Sequence, residues 1–256
     1  MNMWENVPSM AEHKTEITFY PAKNKISDAA VIVFAGGGYS FRAEHEGKGY
    51  GEFLSEHGYN AFVCDYRVYP DQFPLPLLDA RRAVRYVRYY ADKFGIDKNK
   101  VCVMGSSAGG SLVSLVSTCT IPFDGLEGVD DIDREDYIPN GQILCYPVIT
   151  LENDDITHAD SKQCLLSNGN IDKAPLITPE KNVKPNTPPA FIWHTAEDDC
   201  VEVLNSYMYA SALRAANIPV EMHIFPYGGH GMGVATGNKH VSQWTGLLLN
   251  WLKLMF

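Results

Sequence analysis

Residues 100–110, KVCVMGSSAGG, constrain this chain more than any other stretch. An apolar run containing Val101, Val103 and Met104 breaks into Gly105-Ser106-Ser107-Ala108-Gly109, and Ser111 to Val116 then read as a helix. A strand turning this sharply into a helix lifts one side chain above the sheet and strains its backbone. Two positions to either side of that side chain leave no room for a Cβ, which calls for glycine. Only Ser107 has glycine at both offsets. The pattern G-x-S-x-G is therefore centred on Ser107, and Ser106 is expected to point into the sheet or a neighbouring loop.

The segments around the turn alternate between two kinds. Residues 16–21, 29–35 and 60–67 read as strands, the second (AAVIVFA) apolar throughout, as when both faces of a sheet are covered. Residues 47–57, closed by Gly58, and 77–94, apolar at i, i+3 and i+4 up to Gly95, read as helices. Beyond the turn, 141–148, 189–195 and 220–226 read as strands. Residues 202–217 and 241–256 read as helices, with Tyr207, Ala210 and Leu213 on one side of the first. This order implies right-handed crossovers, so the expected class is α/β, a mostly parallel central sheet with helices on both faces. Residues 150–188 form a long polar insertion with little periodicity, which in a compact domain points to a functional segment, a lid or cap.

A chain of 256 residues, 45% of them hydrophobic, can bury a full core, and a single domain spanning 1–256 is the expected organisation. Its net charge of -10 argues against nucleic acid or an anionic membrane as partner. Arg81, Arg82, Arg85 and Arg88 alternate with Ala83, Val84 and Val87 at helical spacing and read as a solvated helix face. Seven carboxylates crowd Asp124 to Asp136. Asp130, Asp131, Asp133 and Glu135 loosely follow a calcium loop, but the glycine and terminal glutamate of such a loop are missing, so no metal is expected. The six cysteines form no C-x-x-C pair, and three sit in apolar runs as small buried hydrophobes. No apolar run approaches the ~18 residues of a membrane span. The opening residues, MNMWENVPSMAEHK, lack a basic stretch followed by an apolar one, so a reduced, cytoplasmic protein is the expectation.

A serine hydroxyl is a poor nucleophile at neutral pH. It needs an imidazole to take its proton and a carboxylate to orient that imidazole. Behind a turn of this kind the carboxylate and then the imidazole follow in chain order, each on a loop at the carboxyl end of a strand. Asp198 lies three residues after the strand ending at Thr195, and His230 four after the strand ending at Pro226. Asp199 competes with Asp198 for the orienting role. Of the eight histidines, only His230 has glycine on both sides in a post-strand loop. His194 and His223 sit within strands and read as structural, while His13, His45, His57, His158 and His240 have no such setting. A tetrahedral intermediate also needs N–H donors. Ala108, after the nucleophile, supplies one, and Gly36-Gly37-Gly38 lets the amides of Gly36 and Gly37 approach a substrate. A phosphate-binding loop would require G-x-G-x-x-G or a G-K-[ST] ending, and neither is present.

Six segments occur in one order along most of the chain: AGGGYSF (35–41), DYRVYP (65–70), LLDARRAVRYVR (77–88), GIDKNKVCVMGSSAGG (95–110), HTAEDDCV (194–201) and YGGHG (227–231). Together they resemble α/β-hydrolase-fold serine esterases of the hormone-sensitive-lipase-like and acetyl xylan esterase-like branches. His194, Asp198 and Val201 keep the register of that family's H-G-x-x-D-x-x-V loop, with Thr195 in place of glycine, which favours Asp198 over Asp199. Ala35 stands where many relatives carry the histidine of H-G-G-G, and no long N-terminal cap is present, which leaves 150–188 as the cover. The resemblance implies Ser107, Asp198 and His230 as catalytic residues, Gly36, Gly37 and Ala108 as the oxyanion hole, and no cofactor. It implies deacetylation of carbohydrate esters, with a small-molecule ester such as an acetylated oligosaccharide as partner. Tyr39, Glu46, Trp193 and Tyr227 are candidates to line a sugar-compatible cleft, Tyr39 above all. A prolyl-peptidase-like hydrolase and a non-catalytic binding protein of this fold are the alternatives.

Overall fold

The computed structural model describes residues 1–11, 15–167 and 169–256. His13 therefore lies outside the described residues, as does residue 168 of the insertion. In chain order the elements are α1 (Pro8–Ala11), β1 (Ile17–Tyr20), β2 (Ala30–Phe34), α2 (Glu44–Glu56), β3 (Asn60–Cys64), α3 (Leu75–Tyr89), α4 (Ala91–Phe94), β4 (Val101–Ser106) and α5 (Ala108–Thr118). There follow β5 (Gly141–Cys145), α6 (Ala159–Leu166), α7 (Ala174–Ile177), β6 (Ala190–Thr195), α8 (Leu204–Ala215), β7 (Val220–Phe225) and α9 (Gln243–Met255). The strands form one sheet in the order β1-β3-β2-β4-β5-β6-β7, antiparallel only between β1 and β3.

Apolar runs mark strands whose two faces are both covered, and the packing shows how. In β4, Val101 and Val103 face a core built with α3, α5 and α8, while Cys102 and Met104 face another built with α2 and α9. Residues of β2 and β6 divide in the same way, Ile32 and Ile192 against Val33 and Trp193. Helix α8 buries Tyr209, Ala210 and Leu213, whereas Tyr207, expected on that side, is exposed. Because β2 to β7 run parallel, the loops after them gather at one edge of the sheet. Those loops and the bend after β4 carry Gly36, Gly37, Ser107, Asp198 and His230.

The arginines of α3 are not a solvated face. Arg81, Arg82, Arg85 and Arg88 are all buried. The acidic segment lies on them: Glu127 binds Arg81 at 2.6 Å and Arg85 at 2.8 Å, and Asp133 binds Arg82 at 2.9 Å. Arg88 donates to Asp136 O and Asn140 Oδ1. Helical spacing locates the apolar stripe of α3 correctly. Whether its other face meets water depends on a segment some fifty residues on, which periodicity within α3 cannot register.

The insertion is likewise more ordered than its composition suggests. It carries α6 and α7 and is tied to the loop after β3 by the Phe73 N–H to Leu165 O bond at 2.9 Å. The Ser161 hydroxyl of α6 lies 3.8 Å from where a Cβ on Gly38 would be, and His158 Nε2 stands 3.6 Å from Cys200 Sγ. The segment thus reaches across this edge of the sheet, from the glycine loop to the loop after β6.

Candidate active site

Ser107 sits at the bend between β4 and α5 with φ 53° and ψ -120°, angles that residues with a Cβ rarely adopt. Its surroundings hold it there. The Ser107 N–H donates to Cys145 O at 3.0 Å, and its carbonyl accepts from the Val148 and Ser111 N–H groups at 3.1 and 3.0 Å. A Cβ on Gly105 would come within 2.3 Å of Gly109 O, and one on Gly109 within 2.1 Å of Phe34 O, so the glycines are sterically required. Ser106 turns under the bend, its hydroxyl 2.8 Å from Tyr50 Oη.

The loops after β6 and β7 bring two further groups to Ser107. His230 Nε2 lies 2.9 Å from Ser107 Oγ, and His230 Nδ1 lies 2.7 Å from Asp198 Oδ2. With Nδ1 donating to the carboxylate, Nε2 is left to accept the serine proton, the tautomer that general-base work requires. The other carboxylate oxygen, Oδ1, accepts the N–H groups of Cys200 (3.0 Å) and Val201 (2.9 Å). Asp199 makes none of these contacts. His194 is more than a strand residue. Its Nε2 faces two acceptors, Asp198 Oδ2 at 3.1 Å and Val201 O at 3.0 Å, and therefore carries the proton and donates to them, which leaves Nδ1 to accept from the Ser206 hydroxyl. The register of His194 with Asp198 was the sequence signal for this contact.

Burial alone would raise the Asp198 pKa, but hydrogen bonds from His194, His230 and Val201 overrule it and hold the carboxyl well below the usual range. A carboxyl depressed in the folded state stabilises fully above its unfolded value of about 3.9, and that contribution is lost as pH falls towards the folded value. Urea-unfolding midpoints measured from pH 5 to pH 2.5 are therefore expected to fall less steeply in Asp198→Asn than in wild type. Parallel slopes would contradict the depressed pKa.

Two backbone donors stand beside the nucleophile. In a trans peptide the N–H and C=O point to opposite sides. Gly36 O is tied to the Ala43 N–H at 2.9 Å, which turns the Gly37 N–H the other way. Ser107 O is tied to Val148 and Ser111, which does the same for Ala108, whose N–H is also one of the unpaired donors at the start of α5. Gly36 is a correction. Its N–H is already donated to Glu46 Oε2 at 2.9 Å, so it cannot serve as an oxyanion donor. Instead it is the position where a Cβ would meet Ser106 O at 2.8 Å and Ser107 Cβ at 3.1 Å, which lets the loop close on the nucleophile.

Tyr39 is also corrected. It is fully buried at φ 58°, its ring edge-on to Tyr66 at 6.2 Å, and so it is packing beneath the loop rather than lining a cleft. Trp193 is buried and stacked on Trp244 at 4.9 Å, and Glu46 is buried too. Of the four suggested cleft residues, Tyr227 alone is exposed. His45, which has no motif around it, meets Gly231 O at 2.9 Å.

This geometry can be set beside known proteins. Residues 17–213 match the family model BD-FAE, well over half of the chain. The chain belongs to the BD-FAE family. Endo-1,4-beta-xylanase B of Butyrivibrio fibrisolvens is 39% identical over 89% of this chain, and an acetylxylan esterase of Xylanibacter ruminicola is 34% identical over 89%. The chain spans only 36% and 46% of the length of these two relatives. Among solved structures, an acetyl ester-xyloside bifunctional hydrolase from Caldicellulosiruptor lactoaceticus superposes with a TM-score of 0.91 at 38% identity, covering 99% of this chain and 94% of that one. The carboxylesterase Cest-2923 of Lactobacillus plantarum gives 0.79 at 25% identity, covering 94% and 93%. The BD-FAE chain described here accordingly has the α/β-hydrolase fold.

Proposed function

We propose that this protein is a serine hydrolase of carboxylic esters and that its substrates are acetylated carbohydrates. The observation that carries the first half is the hydrogen-bonded chain from Ser107 through His230 to Asp198 at a strained turn. Ser107 Oγ attacks the ester carbonyl as His230 Nε2 takes its proton. The Gly37 and Ala108 N–H groups receive the developing oxyanion, beside the positive end of the α5 dipole. Collapse forms the Ser107 acyl ester and expels the alcohol, which leaves with the proton from His230. Water, deprotonated by the same imidazole, attacks the acyl ester and releases the carboxylic acid with Ser107 restored. One ester and one water give one acid and one alcohol.

Two lines support the sugar half. Relatives of the chain bear the names acetylxylan esterase and acetyl ester-xyloside hydrolase. In addition, Phe41, Tyr69 and Tyr227 are 60%, 51% and 67% exposed on loops after β2, β3 and β7, at the same sheet edge as Ser107 and on both sides of it. Exposed aromatic faces suit the apolar faces of sugar rings. The insertion carrying α6 would then act as a cap over this edge.

Release of acetate from acetylated xylo-oligosaccharides, compared with p-nitrophenyl esters of rising acyl length, tests the reading. Acetyl sugars are expected to be preferred, with rate falling as the acyl chain lengthens. Tyr227→Ala or Phe41→Ala should raise KM for the oligosaccharide about tenfold, as loss of a stacked ring would, and leave p-nitrophenyl acetate unaffected. Preference for long acyl chains, or cleavage of aminoacyl-p-nitroanilides without acetyl esters, would reject the carbohydrate assignment.

A further inference from the structure

The loop that carries Gly37 is oriented by a carboxylate that the hydrolytic steps never touch. Glu46, in the first turn of α2, is 3% exposed, with the exposed His45 ring 3.8 Å away. Burying a carboxylate so deeply is costly unless its oxygens are hydrogen-bonded. Both are. Oε2 accepts the Gly36 N–H at 2.9 Å, and Oε1 accepts the Tyr146 hydroxyl at 2.7 Å. Each bond leads to one half of the site.

On the first side, the Ala35–Gly36 peptide is gripped at both ends, its N–H by Glu46 and its carbonyl by the Tyr66 hydroxyl at 2.6 Å. A peptide plane held at two opposite points cannot turn, and the next plane, which presents the Gly37 N–H, takes its direction from it. On the second side, the Tyr146 oxygen accepts the Gly233 N–H at 3.0 Å, and the Tyr146 ring lies edge-on to His230 at 5.0 Å. Tyr146 itself has φ 37°, a conformation that persists in a residue with a Cβ only where its neighbours enforce it.

The geometry points to Glu46 as a positioning residue for both halves of the catalytic centre. Through Gly36 it aims the Gly37 donor, and through Tyr146 and Gly233 it holds the loop that carries His230. Its charge is not the useful property, since a carboxylate near a developing oxyanion opposes it. Two well-placed hydrogen-bonding atoms, one accepting from Gly36 and one bonded to the Tyr146 oxygen, are. Glutamine can supply one acceptor to Gly36 and donate its amide to the Tyr146 oxygen, so the conservative variant should keep the geometry.

This inference rests on the serine hydrolase reading, and the test separates the two. Labelling of Ser107 by a fluorophosphonate needs the nucleophile, the base and the oxyanion hole but no particular ester. The second-order labelling rate is measured for wild type, Glu46→Ala, Glu46→Gln and Tyr146→Phe, with kcat and KM on p-nitrophenyl acetate and a thermal melt for each. Glu46→Ala is expected to lose about 100-fold in labelling rate and in kcat, the lower end of the effect of removing an oxyanion donor. Its KM should stay within about threefold, because the loss falls on the transition state. Glu46→Gln should return to within roughly fivefold of wild type. Tyr146→Phe, which deletes one oxygen and still folds if Glu46→Ala does not, should fall roughly tenfold, a fraction of a full donor's effect. Labelling of Glu46→Ala at the wild-type rate, a loss confined to KM, or a glutamine variant as slow as the alanine would each overturn the role of Glu46. A wild type that is labelled yet hydrolyses no ester fails the substrate reading alone, and one that is not labelled fails both.

Discussion

Ser107→Ala is expected to lower kcat for a short-chain p-nitrophenyl ester by roughly 10⁶-fold, the loss seen when the nucleophile is removed from a triad whose members act as a unit. His230→Ala should cost nearly as much, and combining the two should add little, because neither residue has a separate route to the product. What survives reflects the Gly37 and Ala108 donors and substrate binding, on the order of 10³-fold over water. The thermal melt should barely move, since Ser107 Oγ contributes a hydrogen bond to His230 and nothing to either core. Measuring rate and melt on the same preparation checks both. A Ser107→Ala protein within a hundredfold of wild type would place the chemistry elsewhere.

The largest expected effect on stability lies on the far side of α3. Arg82 is 1% exposed and ties Asp133, whose side chain is fully buried, and Asp130 to the helix, with the Trp4 ring 4.7 Å from its guanidinium. Removing one partner of such a group leaves buried charge without compensation, at about 3–5 kcal/mol. Arg82→Ala should therefore lower the melting temperature by roughly 6–20 °C, taking 2–4 °C per kcal/mol for a chain of this size. Arg82→Met combined with Asp133→Leu should recover part of that loss, because the fully buried carboxylate goes together with its partner and only Asp130, whose side chain is partly exposed, is left without the arginine. Esterase kinetics at 25 °C should be unchanged in the variants that fold. If Arg82→Ala melted within 2 °C of wild type, the acidic segment would not be anchored by this arginine.

Much of the site could be read along the chain, and the reason is local. The glycines at 105 and 109 answer a clash of 2.3 and 2.1 Å that the turn creates around itself, so the nucleophile is marked by its immediate neighbours. Asp198 follows a strand recognisable from its apolar run and His230 one recognisable from its alternation, and a parallel sheet sends both loops to one edge. The misreadings share the opposite cause. Gly36 as a donor failed because Glu46, ten residues on, takes its N–H. Tyr39 failed as a substrate contact because the Tyr66 ring and the loop after β3 close over it. The arginine face of α3 failed because the acidic segment folds onto it.

The sequence by itself determined the fold class, the strained turn and the order of nucleophile, carboxylate and imidazole, since each depends on residue patterns inside single elements and on the order of those elements along the chain. Only the tertiary structure decided which amides remain free, that His194 steadies Asp198, and that Glu46 and Tyr146 join the Gly37 loop to the His230 loop. Those outcomes are set by which distant groups reach a donor or acceptor first. A hydrogen bond between residues 46 and 146 leaves no pattern in either neighbourhood, although it needs only 2.7 Å of space once the sheet has brought them together.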